Sequence, residues 1–193
     1  MTNTTEAKPE LLIRMQSTPN PQALKFILNQ PVKRMGKATY DSLEETYGNV
    51  MAYSLMQIEG AIQVHMFENV ITATFKEGVD PYEKVDDTVA VIKSRYAVHN
   101  PDFTVEGDKK EARKESPPEF QKIEEILDRT IRPGLQADGG DLEIVRLTGK
   151  VLEIKYQGAC GTCPSSTAGT LQAIEGILQQ EYDPEISIQL ADG

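Results

Sequence analysis

The sequence predicts an α+β protein made of two small domains, each a mostly antiparallel sheet with helices packed on it. In both halves, short β-rich runs joined by tight turns alternate with apolar stripes at helical spacing. Between the halves lies a stretch that is nearly all charge and has no large apolar residue to bury. We therefore predict a first domain over residues 11–106, a charged linker over 107–115 and a second domain over 116–193.

The first half begins with two predicted strands, residues 11–17 and 23–28. Thr18-Pro19-Asn20-Pro21 lies between them, and two prolines around an Asn favour a turn. Asn49 is a predicted cap for a short helix, since Asn side chains accept hydrogen bonds from the first free N–H groups of a helix.

Residues 61–67 and 70–76 alternate as strands and predict a hairpin across Glu68-Asn69. Asp80-Pro81 then predicts a helix start, and an apolar stripe follows at helical spacing (Val85, Val89, Ile92 and Tyr96). No motif in this half indicates chemistry. His65 and His99 have no Cys or His neighbour at ligand spacing, so we expect packed or solvated side chains.

In the second half, the pattern predicts the order helix, strand, strand, loop, helix, strand. The loop contains Cys160 and Cys163, and we call it the cysteine loop. Its first helix has the stripe Phe120, Ile123, Leu127 and Ile131 and should stop at Pro133-Gly134. Residues 142–147 and 151–156 predict an antiparallel hairpin, and Ile186, Ile188 and Leu190 a final strand.

The charge, hydropathy and cysteine content of the chain indicate which partners and which cellular compartment to expect. The formal net charge of −10 argues against nucleic acid, because phosphate binding needs clustered Lys and Arg. No apolar run has the length of a membrane span, so we expect no membrane partner. Residues 1–10 resemble neither a secretory signal nor a transit peptide, and only two cysteines are present. These features predict a cytoplasmic protein.

The two cysteines, Cys160 and Cys163, are the candidate functional residues. They lie between a predicted strand and a predicted helix that begins at Pro164, so a helix N-terminus should favour their thiolate forms. Two small buried cysteines are the simplest interpretation, but the surrounding glycine and hydroxyl residues leave the sulfurs approachable.

A dithiol–disulfide oxidoreductase is the enzymatic alternative, with Cys160 as nucleophile and Cys163 as resolving thiol. In thioredoxin-like enzymes the Cys-x-x-Cys motif lies in a parallel β-α-β unit. The cysteines here follow an antiparallel hairpin, which argues against the oxidoreductase. A metal site is the third interpretation. Zinc and iron–sulfur clusters usually need four ligands, so two chains would have to share the site.

Four longer strings of residues surround or include the cysteines and the first predicted turn. They run from Ser17 to Phe26, from Glu68 to Lys76, from Ala137 to Glu143 and from Gly158 to Thr167. The first two resemble the Nfu N-terminal domain and the last two the NifU C-terminal domain, so the chain resembles Nfu- and NifU-type proteins, which are iron–sulfur cluster scaffolds and carriers. Flanked by these longer strings, the Cys-x-x-Cys pattern is far more specific than it is alone.

This resemblance implies a non-enzymatic carrier. It implies a 4Fe–4S cluster bridging a homodimer, bound by Cys160 and Cys163 of each chain, received from an upstream assembly scaffold and passed to apo-acceptor proteins. A zinc-bridged dimer and the dithiol oxidoreductase remain alternatives. Gly139 and Gly140 match the family string and are expected to shape the turn rather than contact iron.

Overall fold

The computed structural model describes residues 10–105, 117–160 and 164–191, with the backbone alone for 164–168. It confirms the predicted α+β class, with two mostly antiparallel sheets and helices packed on them. We call residues 10–105 the N-terminal unit and residues 117–191 the C-terminal unit. The predicted linker, 107–115, lies outside the described residues.

The N-terminal unit is built on a five-stranded antiparallel sheet in the order β1-β2-β5-β4-β3. Four of its strands follow the predicted pattern closely. Its strands are β1 Ile13–Ser17, β2 Ala23–Leu28, β3 Lys33–Tyr40, β4 Ala61–Glu68 and β5 Val70–Phe75.

Two helices cover one face of this sheet, α1 Val50–Met56 and α2 Val85–Tyr96. Asn49 caps α1 as predicted, because its side chain accepts a hydrogen bond from the backbone N–H of Ala52. Asp80 likewise caps the 3-10 turn Pro81–Lys84, which leads into α2. Between sheet and helices lies an apolar core that includes Phe26 and Ile92.

The C-terminal unit contains three helices and a three-stranded sheet in the order β6-β7-β8. Its elements are α3 Pro118–Thr130, α4 Arg132–Ala137, β6 Gly140–Thr148, β7 Val151–Gly158, α5 Pro164–Glu181 and β8 Ser187–Leu190. No helix within the described ranges is both long and apolar enough to cross a membrane.

The predicted helix stop at Pro133-Gly134 is wrong. The chain turns at Ile131 and continues directly as α4, in which Pro133 occupies one of the first two positions. Proline is tolerated there because the first N–H groups of a helix have no partner inside the helix. The Pro-Gly pair therefore lies within a short second helix rather than after a single long one.

The topology also corrects the argument against a dithiol oxidoreductase. The β6–β7 hairpin is antiparallel as predicted, but β8 pairs with β7 in the parallel direction. The segment β7–α5–β8 is therefore a parallel β-α-β unit, with the cysteine loop at the junction of β7 and α5. The order of elements therefore does not distinguish a dithiol oxidoreductase from a cluster carrier.

Candidate functional site

Cys160 lies two residues beyond the end of β7 and is half-buried. Its strand is anchored by Leu152, Ile154 and Tyr156, which point into the core beneath α5. The helix begins at Pro164, as predicted, immediately after Cys163 in sequence. Cys163 itself lies outside the described residues, so the structure places only one of the two predicted ligands.

Two glycines allow the backbone of β6 to approach Cys160 closely. A Cβ added to Gly140 would lie only 2.5 Å from Cys160 Sγ. Gly158 has φ +63°, and a Cβ there would lie 2.4 Å from the carbonyl oxygen of Gly139. Side chains at these positions would displace the cysteine or separate the two strands. Gly140 thus packs against the sulfur, a role that the sequence prediction, limited to turn shape, missed.

A small cavity of about 60 Å³ adjoins Cys160. Tyr156 and Thr170 line it from the C-terminal unit, and Pro19 lines it from the N-terminal unit. Burial, together with the nearby charge of Cys160, raises the pKa of Tyr156, so this phenol stays protonated. Pro19 of the Pro-Asn-Pro turn and Cys160 of the cysteine loop therefore line the same cavity, although they belong to two separate strings of the family resemblance.

A buried ionic cluster lies close to the loop and joins the two units. Lys37 of β3 forms a salt bridge of 3.0 Å with Asp141 of β6, and Arg132 of α4 lies 3.5 Å from the same carboxylate. Burial alone would raise the pKa of Asp141, but the two cations outweigh it and lower the pKa. Burial lowers the pKa of Lys37, against the attraction of Asp141.

The two histidines are packed, in line with the prediction. His65 is buried in β4 and its Nδ1 lies 2.9 Å from the Thr39 hydroxyl. Burial, reinforced by the charge of Lys37, lowers its pKa to about 4. His99 is held by the Val32 carbonyl and packs between Tyr96 and Phe103. Within the described residues, no group of three or more His, Cys, Asp or Glu side chains could hold a metal ion.

Comparison with known proteins decides the family. Residues 13–99 match the family described as "Scaffold protein Nfu/NifU N terminal", and residues 123–189 match the "NifU-like domain". The human "NFU1 iron-sulfur cluster scaffold homolog, mitochondrial" is 34% identical, over 91% of this chain and 70% of that protein. The chain belongs to the Nfu/NifU-like family. The N-terminal match and the human relative are both scaffold proteins by name, and the human protein is a scaffold for iron–sulfur clusters.

Two plant relatives extend the similarity over nearly the whole chain. "NifU-like protein 4, mitochondrial" of Arabidopsis thaliana is 30% identical, over 91% of this chain and 68% of that protein. "NifU-like protein 5, mitochondrial" of the same plant is 30% identical, over 95% of this chain and 72% of that protein. Both units of this Nfu-type chain are therefore shared with its relatives in one continuous match.

The predicted cytoplasmic location is wrong. The plant and human relatives are all mitochondrial by name, which supports mitochondria instead. The prediction depended on the small number of cysteines and on the character of residues 1–10. Neither observation distinguishes the cytoplasm from another reducing compartment.

The sequence did not indicate the ionic cluster beside the loop. Lys37 and Asp141 lie in different halves of the chain, and each looks in isolation like a residue on a solvated face. The only available signal was that Asp141 belongs to the family string Ala137 to Glu143. That string predicted a turn rather than a buried carboxylate.

Proposed function

We propose that this Nfu-type chain carries a 4Fe–4S cluster between two copies of itself, with Cys160 and Cys163 of each copy as the ligands. The half-buried thiol of Cys160, at a loop shaped by Gly140 and Gly158, is the observation that supports this best. In sequence, Cys160 comes shortly before the first residue of α5, and a helix N-terminus favours a thiolate.

Ligand number supports a shared site. Iron–sulfur clusters of this type are usually held by four thiolates, and the chain has only two cysteines. Two copies supply the required four. A cluster held between chains is released when the copies separate, which suits a carrier better than a permanent electron-transfer centre.

We infer that the cluster is cargo, received from an upstream assembly scaffold and delivered to apo-acceptor proteins in the mitochondrion. Delivery requires that an acceptor thiol reach the iron, and the half-exposed position of Cys160 allows this. The chain needs no general acid or base for such an exchange of ligands. This is consistent with a family of scaffolds rather than enzymes.

The dithiol–disulfide oxidoreductase remains the second candidate, because one observation favours it. The parallel β7–α5–β8 unit places Cys160 at the carboxyl end of a strand, before a helix, as thiol–disulfide enzymes require. That enzyme would use the same two cysteines and no metal.

Anaerobic purification distinguishes these candidates directly. The carrier should be brown, with iron and acid-labile sulfide in equal amounts and broad visible absorption. Cys160→Ser and Cys163→Ser should each abolish the colour while leaving far-UV circular dichroism unchanged, because the swap creates no large cavity at an accessible loop. Colourless protein that holds zinc, or that holds no metal and reduces disulfides, would contradict the carrier.

A further inference from the structure

The N-terminal sheet has a polar face whose central part is buried. Register aligns Lys25, Thr72, His65 and Thr39 in one row across β2, β5, β4 and β3. Thr72 is fully buried, and Lys25 and His65 are nearly so. Buried polar side chains need hydrogen-bond partners, so this face requires a specific neighbour.

That neighbour is the turn that precedes β6. Thr72 Oγ1 donates a hydrogen bond of 2.7 Å to the carbonyl oxygen of Gly139. The backbone N–H of Ala159, the residue before Cys160, donates to the same oxygen at 3.2 Å. The Gly139 carbonyl oxygen therefore accepts one hydrogen bond from the N-terminal unit and one from the residue before Cys160. This single carbonyl group connects Thr72 with the cysteine loop.

Two lysines fix the turn on either side of this contact. Lys25 Nζ donates to the carbonyl oxygen of Ala137, and Lys37 Nζ donates to that of Leu142. Together with Thr72, they bind three carbonyl oxygens of this segment, those of Ala137, Gly139 and Leu142. Even a Cβ added to Gly139 would lie only 2.8 Å from Thr72 Oγ1 and 3.0 Å from Lys25 Cδ. Around Gly139, the turn and the sheet face are therefore complementary in shape as well as in hydrogen bonding.

We propose that the polar face of the N-terminal sheet is a docking surface for the turn at residues 137–142, which packs against Cys160, and that Thr72 is a positioning residue for Cys160. Thr72 orients the Gly139 carbonyl, which holds the Ala159 amide and keeps Gly140 against the sulfur. Docking thereby limits access to Cys160 and slows loss of its cargo. The effect on the cargo rests on the proposed function, whereas the effect on the thiol does not.

The chain provides a matched pair of variants on one strand. Thr72→Val removes the donor to Gly139 with little change in volume. Thr74→Val makes the same change two residues along the same face, where the hydroxyl is equally buried but has no hydrogen-bond partner among the described residues. Lys25→Met, which removes the donor to Ala137, is a second test on a different strand.

The first experiment uses the full chain without cluster and with Cys163→Ser, so that Cys160 is its only thiol. Iodoacetamide should alkylate Cys160 about fivefold faster in Thr72→Val, the factor that one hydrogen bond supplies. Thr74→Val should not differ from the parent, and Lys25→Met should resemble Thr72→Val. Equal rates in Thr72→Val and Thr74→Val would overturn the proposal. If circular dichroism shows that Thr72→Val does not fold, Lys25→Met becomes the test. An alkylation rate in Lys25→Met equal to that of the parent would then overturn the proposal.

The second experiment uses the full chain, with both cysteines, loaded with cluster. EDTA should remove the cluster about fivefold faster from Thr72→Val than from the parent, with Thr74→Val unchanged. Equal loss from all three, despite different alkylation rates, would overturn the link between docking and cargo retention. If the parent binds no cluster, the proposed function fails, and the alkylation rates alone decide whether Thr72 positions Cys160.

Discussion

The two faces of the N-terminal sheet differ in chemistry even where both are buried, and β5 shows the difference most clearly. Along β5, Ile71, Ala73 and Phe75 point into the apolar core, whereas Thr72 and Thr74 point to the other side. All five are within 2% of full burial. One face is covered by α1 and α2 of its own unit, and the polar face meets the turn of the C-terminal unit.

This difference in chemistry gives the two faces different roles: the apolar face stabilises the N-terminal unit, and the polar face positions the C-terminal unit. Apolar contacts are non-directional and roughly proportional to the area buried, so the core face stabilises the fold without specifying a partner. Hydrogen bonds and ion pairs require geometry, and an unmatched buried donor is costly. The polar face therefore determines where the second unit sits. Substitutions on the two faces should have different consequences for Cys160.

The largest effect is expected on the apolar face. Phe26→Ala should lower the free energy of unfolding by about 4 kcal/mol, because it removes a fully buried ring from the core. Guanidinium unfolding measures this loss. Alkylation of Cys160 under native conditions should stay at the parental rate, and a large increase would show that the faces are not separable.

Acid should act on the polar face through His65. Its folded pKa of about 4 lies below the ordinary value of 6.5, first because of burial and then because of Lys37, with Asp141 opposing. Its stabilising contribution is therefore complete above pH 6.5 and is lost as the pH falls towards 4, by about 3 kcal/mol. His65→Gln is the matched variant. Unfolding measured from pH 7 to 4 should depend less steeply on pH in the variant than in the parent, and equal slopes would contradict the assignment.

The ion pair between the units should contribute less than His65. Lys37→Met should cost about 2 kcal/mol, below the usual penalty for breaking a buried pair, because Asp141 retains Arg132 and Gln136. Arg146→Met is the control, since its pair with Glu153 is exposed and should contribute almost nothing. Equal denaturation midpoints for the two variants would show that burial does not strengthen the Lys37 contact.

The smallest effects come from the two threonines. Thr72→Val should lower the free energy of unfolding by about 1 kcal/mol, because it removes a hydrogen bond. Thr74→Val should leave it unchanged or raise it, because the Thr74 hydroxyl has no hydrogen-bond partner to lose in the part of the chain that the structure describes. Thermal unfolding of both proteins measures the difference. A greater loss in Thr74→Val would contradict the assigned contacts.

The sequence predicted elements wherever local pattern was decisive. The strand Ala23–Leu28, the Asn49 cap and the hairpin at Glu68-Asn69 each have a clear local signal, and all are present. Strand β3 was missed, because Lys33, Arg34, Gly36 and Lys37 break the apolar alternation. Lys33 is fully buried and bonded to two backbone carbonyls, which no local pattern indicates.

Contacts between distant segments explain the remaining errors. Strand β8 alternates as predicted, but its parallel pairing with β7 depends on the path of α5, which periodicity does not specify. The polar face of the N-terminal sheet has the alternation of a solvated surface, and its role depends on a turn in the other half of the chain. The candidate ligands, by contrast, followed from the resemblance, and the structure places Cys160 next to residues of both units.

The central claim is that two chains share one cluster, and native mass spectrometry of the loaded protein tests it most directly. We expect a dimer carrying a single 4Fe–4S cluster, converting to monomer after EDTA removes the iron, because each chain supplies two of the four usual thiolates. A monomer that retains a complete cluster at full occupancy would contradict the account.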